Sequence, residues 1–155
     1  MNIRDATHRD TNNIIQLVKT VLKEFGFQYS PDTSESDLMN IHQEYLDNEG
    51  AFLIMEDNAH TLIATGALKK IGDGCFKIRK MYVHKLHRRN GYGKEILIRL
   101  IEIALKKGAT TIVLETSALM ISAQNLYASF GFEVIAKKPT SPRCDITMVK
   151  KINDA

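Results

Sequence analysis

Residues Met81 to Lys94 read Met-Tyr-Val-His-Lys-Leu-His-Arg-Arg-Asn-Gly-Tyr-Gly-Lys, and the rest of the chain is organised around them. Before this stretch, Cys75 to Val83 carries the β-branched and aromatic residues of a strand. After it, Glu95 to Lys107 has the spacing of a helix, with Leu97, Leu100, Ile101 and Ala104 on one face. Between them runs a short basic turn that feeds directly into the helix N-terminus. Gly91 and Gly93 let the backbone turn without a Cβ clash and bring its N–H groups close to a ligand. Unpaired N–H groups at a helix start, with the positive end of the dipole behind them, bind anions. Arg88, Arg89 and Lys94 add positive charge around the turn, with Asn90 and Tyr92 between them. The chemistry asks for a phosphate or pyrophosphate.

Two familiar phosphate loops are excluded. A P-loop ends in Lys-Ser or Lys-Thr, and Gly93-Lys94-Glu95 lacks the hydroxyl. A dinucleotide fingerprint needs a third small residue after Gly91-Tyr92-Gly93, and Ile96 stands there. What remains is Arg88-x-x-Gly91-x-Gly93, which resembles the acetyl-CoA loop of the Gcn5-related N-acetyltransferase (GNAT) family. A second block of that family, Ala-x-x-Leu-Tyr-x-x-x-Gly-Phe, is matched by Ala123, Leu126, Tyr127, Gly131 and Phe132. The two blocks stand at the family's separation and together cover about half of the chain.

The elements on either side follow in order. Met1 to Asp5 reads as a strand, and Asp10 or Thr11 as the cap of a helix running to about Glu24. Its buried stripe would be Ile14, Leu17, Val18, Val21 and Leu22. Phe27 to Ser36 reads as a loop. A second helix follows to about Asp47, with Leu38, Ile41, Tyr45 and Leu46 inward. Ala51 to Met55 and Thr61 to Ala67 read as strands, and Gly72-Asp73-Gly74 as a hairpin turn into the strand at Cys75. Thr111 to Thr116 is a short buried strand. Ser122 to Phe130 is a helix with Leu126 and Phe130 on its core face, closed by Gly131. Phe132 to Ala136 and Asp145 to Lys150 are the last strands. The order β-α-α-β-β-β-α-β-α-β-β specifies an α/β fold with a mixed sheet and helices on both faces, as the resemblance also implies. One domain spans residues 1–155.

Alternation slips in the strand from Cys75. Phe76 and Ile78 share a face, yet the later apolar pair is Met81 and Val83. An extra residue near Arg79 and Lys80, a β-bulge, would repair the pattern; a strand end buried on both faces would also account for it. The resemblance implies the bulge. It also implies that the pantetheine arm of acetyl-CoA lies in the gap so opened, against the main chain of Met81, Tyr82 and Val83.

Composition sets the outer bounds. The 155 residues are 44% hydrophobic and 25% charged, ordinary for one globular domain, and the net charge of +3 is mild. No apolar run reads as a signal peptide or membrane span, so a cytoplasmic location without membrane association is the expectation. Cys75 and Cys144 read as reduced thiols, and His8, His42, His60 and His87 have no metal-type spacing, so no metal is expected. Nucleic-acid binding through Arg79 to Arg99 is disfavoured. The positive residues belong to one phosphate-sized turn, with no aromatic platform for bases.

Taken together, the resemblance implies transfer of an acetyl group from acetyl-CoA to a primary amine of a small molecule or peptide. The reaction needs a neutral amine, a polarised carbonyl and a protonated leaving thiolate. The Val83 N–H is the candidate donor to the thioester oxygen. Tyr127 falls where the family keeps its general acid. The family's frequent base, a strand Glu, falls on Lys77, which cannot serve as an ammonium ion. Glu115 on the neighbouring strand is then the candidate, with Glu24, His84, a water relay and no protein base as alternatives. Phe27 to Ser36 and Pro139 to Arg143 are expected to shape the acceptor pocket, where Tyr29, Asp32 and Glu35 suggest an amine. The competing reading is a non-catalytic acyl-CoA-binding regulatory module. A homodimer is consistent with the resemblance.

Overall fold

The computed structural model describes residues 1–152. Among these residues seven strands form one sheet in the order β1-β2-β3-β4-β5-β7-β6. β1 (Asn2–Asp5), β2 (Ala51–Glu56), β3 (Leu62–Gly72) and β4 (Cys75–Val83) pair antiparallel in sequence order. β5 (Thr111–Thr116) runs parallel to β4, because α2 (Tyr92–Lys106) carries the chain back across the sheet between them. β7 (Ile146–Lys151) pairs antiparallel with both β5 and β6 (Glu133–Ile135).

Burial follows the periodicities. α1 (Thr11–Glu24) buries Ile14, Leu17, Val18, Val21 and Leu22, the expected stripe. Ile14, Val18 and Leu22 meet Phe52, Ile54 and Ala67 on one face of the sheet. On the other face, Ile96, Leu97, Leu100, Ile101 and Ala104 of α2 meet Leu53, Met55, Ala64 and Leu68. β2 is therefore buried along its whole length, covered from both sides. Gly66 of β3 lets α2 settle closely, since a Cβ there would lie 2.3 Å from the Ile96 side chain and 2.8 Å from the Met81 sulfur. No described helix is long and apolar enough to cross a membrane.

The structure corrects several boundaries. The second helix is not regular α-helix: a 3-10 turn, Ser36–Asn40, runs into a wider π turn, His42–Leu46. Tight and then loose winding brings Tyr45 and Asp37, eight residues apart, into one buried hydrogen bond, with the phenol donating to the carboxylate. A regular helix would set those side chains roughly 80° apart around its axis. Leu46, expected inward, is only partly buried. Asp10 stands at the N-cap position of α1 as expected, but its side chain makes no capping bond; its carboxylate accepts from Arg4 and from the Thr7 N–H. β3 runs on to Gly72, because Leu68, Lys69 and Lys70 continue the ladder with Ile78, Lys77 and Phe76. On α3 (Ile121–Ser129) and just beyond it, Tyr127 is the buried residue, while Leu126 and Phe130 are half-buried.

Candidate functional site

The slip in the β4 pattern is a bulge. Thr65 faces Tyr82 and Ala67 faces Arg79, so the two-residue step from Thr65 to Ala67 on β3 is met by three residues on β4. Lys80 takes the irregularity at φ 55, and the buried Thr65 hydroxyl donates to its carbonyl at 2.7 Å, fixing the kink. As a result Phe76, Ile78, Met81 and Val83 all pack on the α2 side. The side chains of Arg79 and Lys80 both turn to the α1 side, where each reaches the Ser34 carbonyl.

The bulge also parts β4 from β5. Their parallel pairing runs from Cys75–Thr111 to Ile78–Leu114 and stops, although β4 continues to Val83. The wedge beyond is lined by main chain. The His84 N–H donates to the Ile63 carbonyl at 2.9 Å, so the polar groups of His84 and, two residues back, Tyr82 point to β3. Those of Val83, a position out of phase, point the other way, and its N–H opens into the wedge.

At the foot of the wedge α2 begins without a side-chain cap. Gly91 precedes it at φ 78, and Arg89 is also left-handed at φ 65. The first helical bond runs from the Glu95 N–H to the Gly91 carbonyl, leaving the N–H groups of Tyr92, Gly93 and Lys94 without helical partners. Asn90 braces the turn by donating to the His87 and Arg88 carbonyls. The Arg88 side chain is engaged with other partners. Its guanidinium forms a two-pronged pair with Glu24 and donates to the Val83 carbonyl at 3.0 Å. It thus ties the turn to α1 and β4. The same pair occupies Glu24, an alternative base in the sequence. Arg89 and Lys94 remain as the cations of the turn.

Tyr127 of α3 lies in the core on the α2 side of the sheet, 6% exposed, its ring edge-on to Phe132 at 6.0 Å. Burial pushes its phenol well above the ordinary value, and Tyr82 and Cys144 are near enough to add to the rise. The Tyr82 phenol is itself pushed up to about 12, again mainly by burial. Tyr127 is therefore a neutral hydroxyl donor throughout the physiological range.

A cavity of about 420 Å³ opens on the α1 side of β4. The loops around Thr33 to Glu35 and Thr140 to Cys144 wall it, and Lys77, Arg79, Lys80, Tyr82 and Glu115 form its floor. Glu115, the first-named base, is fully committed there. It accepts from the Thr140 N–H at 2.8 Å, the Ser141 N–H at 3.0 Å and the Thr140 hydroxyl, and pairs with Lys77 at 3.2 Å. Burial alone would raise its pKa. The Thr140 and Ser141 N–H groups and the Lys77 charge override that and hold it below the usual carboxylate range. A carboxylate in this state is an anchor for the 140s loop and a poor proton acceptor. His84 lines a separate cavity of about 370 Å³ between α1 and β3, and its Nδ1 accepts from the Leu86 N–H. Glu35 is fully buried in a 2.5 Å pair with Arg143 and accepts from the Ser30 N–H, while Tyr29 faces Lys19; neither presents a free charge to an amine.

Sequence reasoning missed the ionic interior of this cavity. Asp37 is buried between Tyr45, Lys80 at 3.3 Å and Arg79 at 3.7 Å. The available signal was two adjacent cations, Arg79-Lys80, at the very point where alternation slips. Among the described residues no group of three or more His, Cys, Asp or Glu is placed to hold a metal ion.

A model of the acetyltransferase (GNAT) family matches residues 15–132. An uncharacterized N-acetyltransferase of Schizosaccharomyces pombe is 28% identical over 126 residues, 81% of this chain and 77% of that protein. Human N-acetyltransferase 8 is 27% identical over 68% of this chain and 49% of its own length. The chain thus spans about half of such mammalian relatives. Among solved structures, a GNAT-family acetyltransferase from Staphylococcus aureus superposes with a TM-score of 0.91 at 24% identity, over 98% of this chain and 99% of that one. An N-acetyltransferase from Thermoplasma acidophilum, solved with coenzyme A, gives a TM-score of 0.76 at 22% identity over 97% and 98%.

Proposed function

This chain belongs to the acetyltransferase (GNAT) family, and from that premise we propose that it transfers the acetyl group of acetyl-CoA directly to a primary amine, with both substrates bound at once. The observation that carries the proposal is the uncapped, glycine-turned start of α2 at the foot of a wedge opened by the Lys80 bulge. In this reading the pyrophosphate takes the N–H groups of Tyr92, Gly93 and Lys94, with Arg89 and Lys94 supplying charge. The pantetheine arm lies along Met81 to Val83, and the thioester oxygen accepts from the Val83 N–H as negative charge develops on it. Relatives support the donor: a neighbouring structure, 22% identical, was solved with coenzyme A.

The amine enters from the cavity on the opposite side of β4. Its nitrogen attacks the carbonyl carbon, the carbon–sulfur bond breaks, and Tyr127 donates its hydroxyl proton to the sulfur. The proton lost by the amine leaves through water, which returns one to the Tyr127 oxygen, because Glu115, its pKa lowered by its donors, is a poor proton acceptor. Glu115 then serves the reaction by fixing the 140s loop over the acceptor. Much of the rate follows from alignment, the amine and thioester meeting across a gap that only the wedge provides.

The test is thiol release from acetyl-CoA across a panel of amines, amino acids, polyamines and peptides, for the wild type, Gly91→Glu and Tyr127→Phe. Acceptor-dependent release that is lost in the first variant and much reduced in the second supports the assignment. Tight acetyl-CoA binding with no release on any acceptor would instead identify a regulatory acyl-CoA-binding module, a reading that the lysine at position 77 favours.

A further inference from the structure

The floor and walls of the 420 Å³ cavity hold four cations, Lys77, Arg79, Lys80 and Arg143, against three carboxylates, Glu35, Asp37 and Glu115. Each carboxylate has a close cationic partner. Glu35 has Arg143 at 2.5 Å, Glu115 has Lys77 at 3.2 Å, and Asp37 has Lys80 at 3.3 Å. Asp37 also takes the Tyr45 hydroxyl. Arg79 is the cation left over. Its nearest carboxylate oxygen is 3.7 Å away, already shared, and its one hydrogen bond is a long 3.4 Å contact from Nη2 to the Ser34 carbonyl. A guanidinium has five N–H donors in a rigid fork. Most of that fork is unspent, on a side chain 26% exposed at the wall of the cavity.

A half-buried guanidinium with unspent donors is costly unless something fills it. The fork matches the two oxygens of a carboxylate, which would also cancel the surplus charge. Polycationic acceptors are disfavoured by the same surplus. The bulge makes this possible. It turns Arg79 and Lys80 to the same side, so that Lys80 absorbs Asp37 and releases Arg79.

We infer that the acceptor is an amine bearing a carboxylate, of the amino-acid class, and that Arg79 holds that carboxylate while the amine reaches the thioester. The inference rests on the acetyltransferase reading for its amine, though the carboxylate subsite can be tested without turnover. Arg79 lies four residues before Val83 on β4, a span of roughly 10–13 Å along the strand. The Arg79 side chain reaches along that span, so the carboxylate is held on the Arg79 side of the acceptor and the amine on the side of the wedge.

The experiment compares amino acids with the amines left by removing the carboxyl group and with the corresponding methyl esters, for the wild type, Arg79→Gln and Arg79→Lys. Wild type should favour amino acids. Arg79→Gln should lower their kcat/KM by about 30- to 100-fold, and leave the decarboxylated amines and the acetyl-CoA KM within about threefold. Arg79→Lys, which keeps the charge but not the fork, should recover only part of the loss. In parallel, thermal shifts of the CoA-saturated protein with N-acetylamino acids and N-acetylamines read the subsite without chemistry. Arg79-dependent protection by the former alone supports the carboxylate site even if no amine turns over, an outcome that would defeat the transferase reading only. Equal turnover of amino acids, esters and decarboxylated amines by the wild type, or preference unchanged in Arg79→Gln, would overturn the inference.

Discussion

Gly91 and Gly93 stand two residues apart, yet replacing each by alanine should move stability in opposite directions. Gly91 sits at φ 78, ψ 12, just before α2, and a Cβ built there meets no atom within 4 Å. The cost of Gly91→Ala is therefore conformational, about 1–2 kcal/mol for a non-glycine residue held left-handed. For a chain of this size that corresponds to a fall in Tm of about 2–8 °C. Gly93 lies within the helix, and its Cβ would rest at ordinary contact distance, 3.5 Å from Val83 and 3.8 Å from Leu126. Gly93→Ala should then gain up to about 1 kcal/mol from helix propensity. Gly91→Glu adds to the strain a carboxylate beside the bound phosphates, worth about 1–3 kcal/mol of repulsion at ~5 Å in a half-solvated site. Acetyl-CoA binding should weaken by about 5- to 150-fold. Thermal unfolding and titration calorimetry read the two effects separately. Equal loss of Tm in both alanine variants would refute the conformational argument. Wild-type acetyl-CoA affinity in Gly91→Glu would refute the anion site.

Tyr127→Phe should lower kcat by about 10²- to 10³-fold with acetyl-CoA affinity unchanged, as single-turnover kinetics and calorimetry can separate. Because burial raises the Tyr127 pKa, the wild-type rate should show no decline from phenol ionisation up to pH 10; a Tyr127-dependent fall below that would contradict the burial argument. Glu115→Gln keeps the shape but removes the charge that holds Thr140, Ser141 and Lys77, so the acceptor KM should rise while the acid limb of the pH–rate profile stays. Disappearance of that limb would make Glu115 the base after all. Asp10→Asn tests linkage at a structural site. The Arg4 guanidinium, hydrogen-bonded to Asp10, holds its carboxyl below the usual range, so its stabilisation is present above the unfolded pKa, near 4, and is lost as pH falls through the lower folded value. The variant should lose about 2 kcal/mol at neutral pH and unfold with a weaker pH dependence below the ordinary carboxylate range; an unchanged acid transition would count against the pair.

What was legible in the sequence is what depends on short-range pattern. The period of α1 and α2, the glycine turn, the hairpin at Asp73-Gly74 and even the bulge could be read because each leaves a local trace. The bulge left an alternation that fails between Ile78 and Met81, and the structure turns all four apolar residues inward by one extra residue. The second helix was misread for the converse reason. Its hydrophobic spacing fits an α-helix, but its winding is set by a bond between Asp37 and Tyr45 and by ions on β4, some 40 residues away. The partners of Arg88 are hidden in the same way. Its place in the loop suggests a phosphate contact, and only the fold shows Glu24 and the Val83 carbonyl within its reach.

The two halves of the proposed site thus differ in how they are encoded. The donor side is built from backbone, from the N–H groups of Tyr92 to Lys94 and of Val83, and backbone sites tolerate many side chains but require particular glycines and a particular bulge, which a motif preserves. The acceptor side is built from side chains drawn from two loops, one 3-10 turn and two strands, and every charge in it takes its meaning from a partner distant in sequence: Glu35 from Arg143, Glu115 from Lys77, Asp37 from Lys80. Read singly, Glu35 and Glu115 suggest an amine-binding or basic site. Read as pairs they are spent, and the residue that counts is the one without a close partner. Arg79 is that residue, so the acceptor's chemistry is set by what the ion pairs leave over rather than by any acidic residue the loops contain.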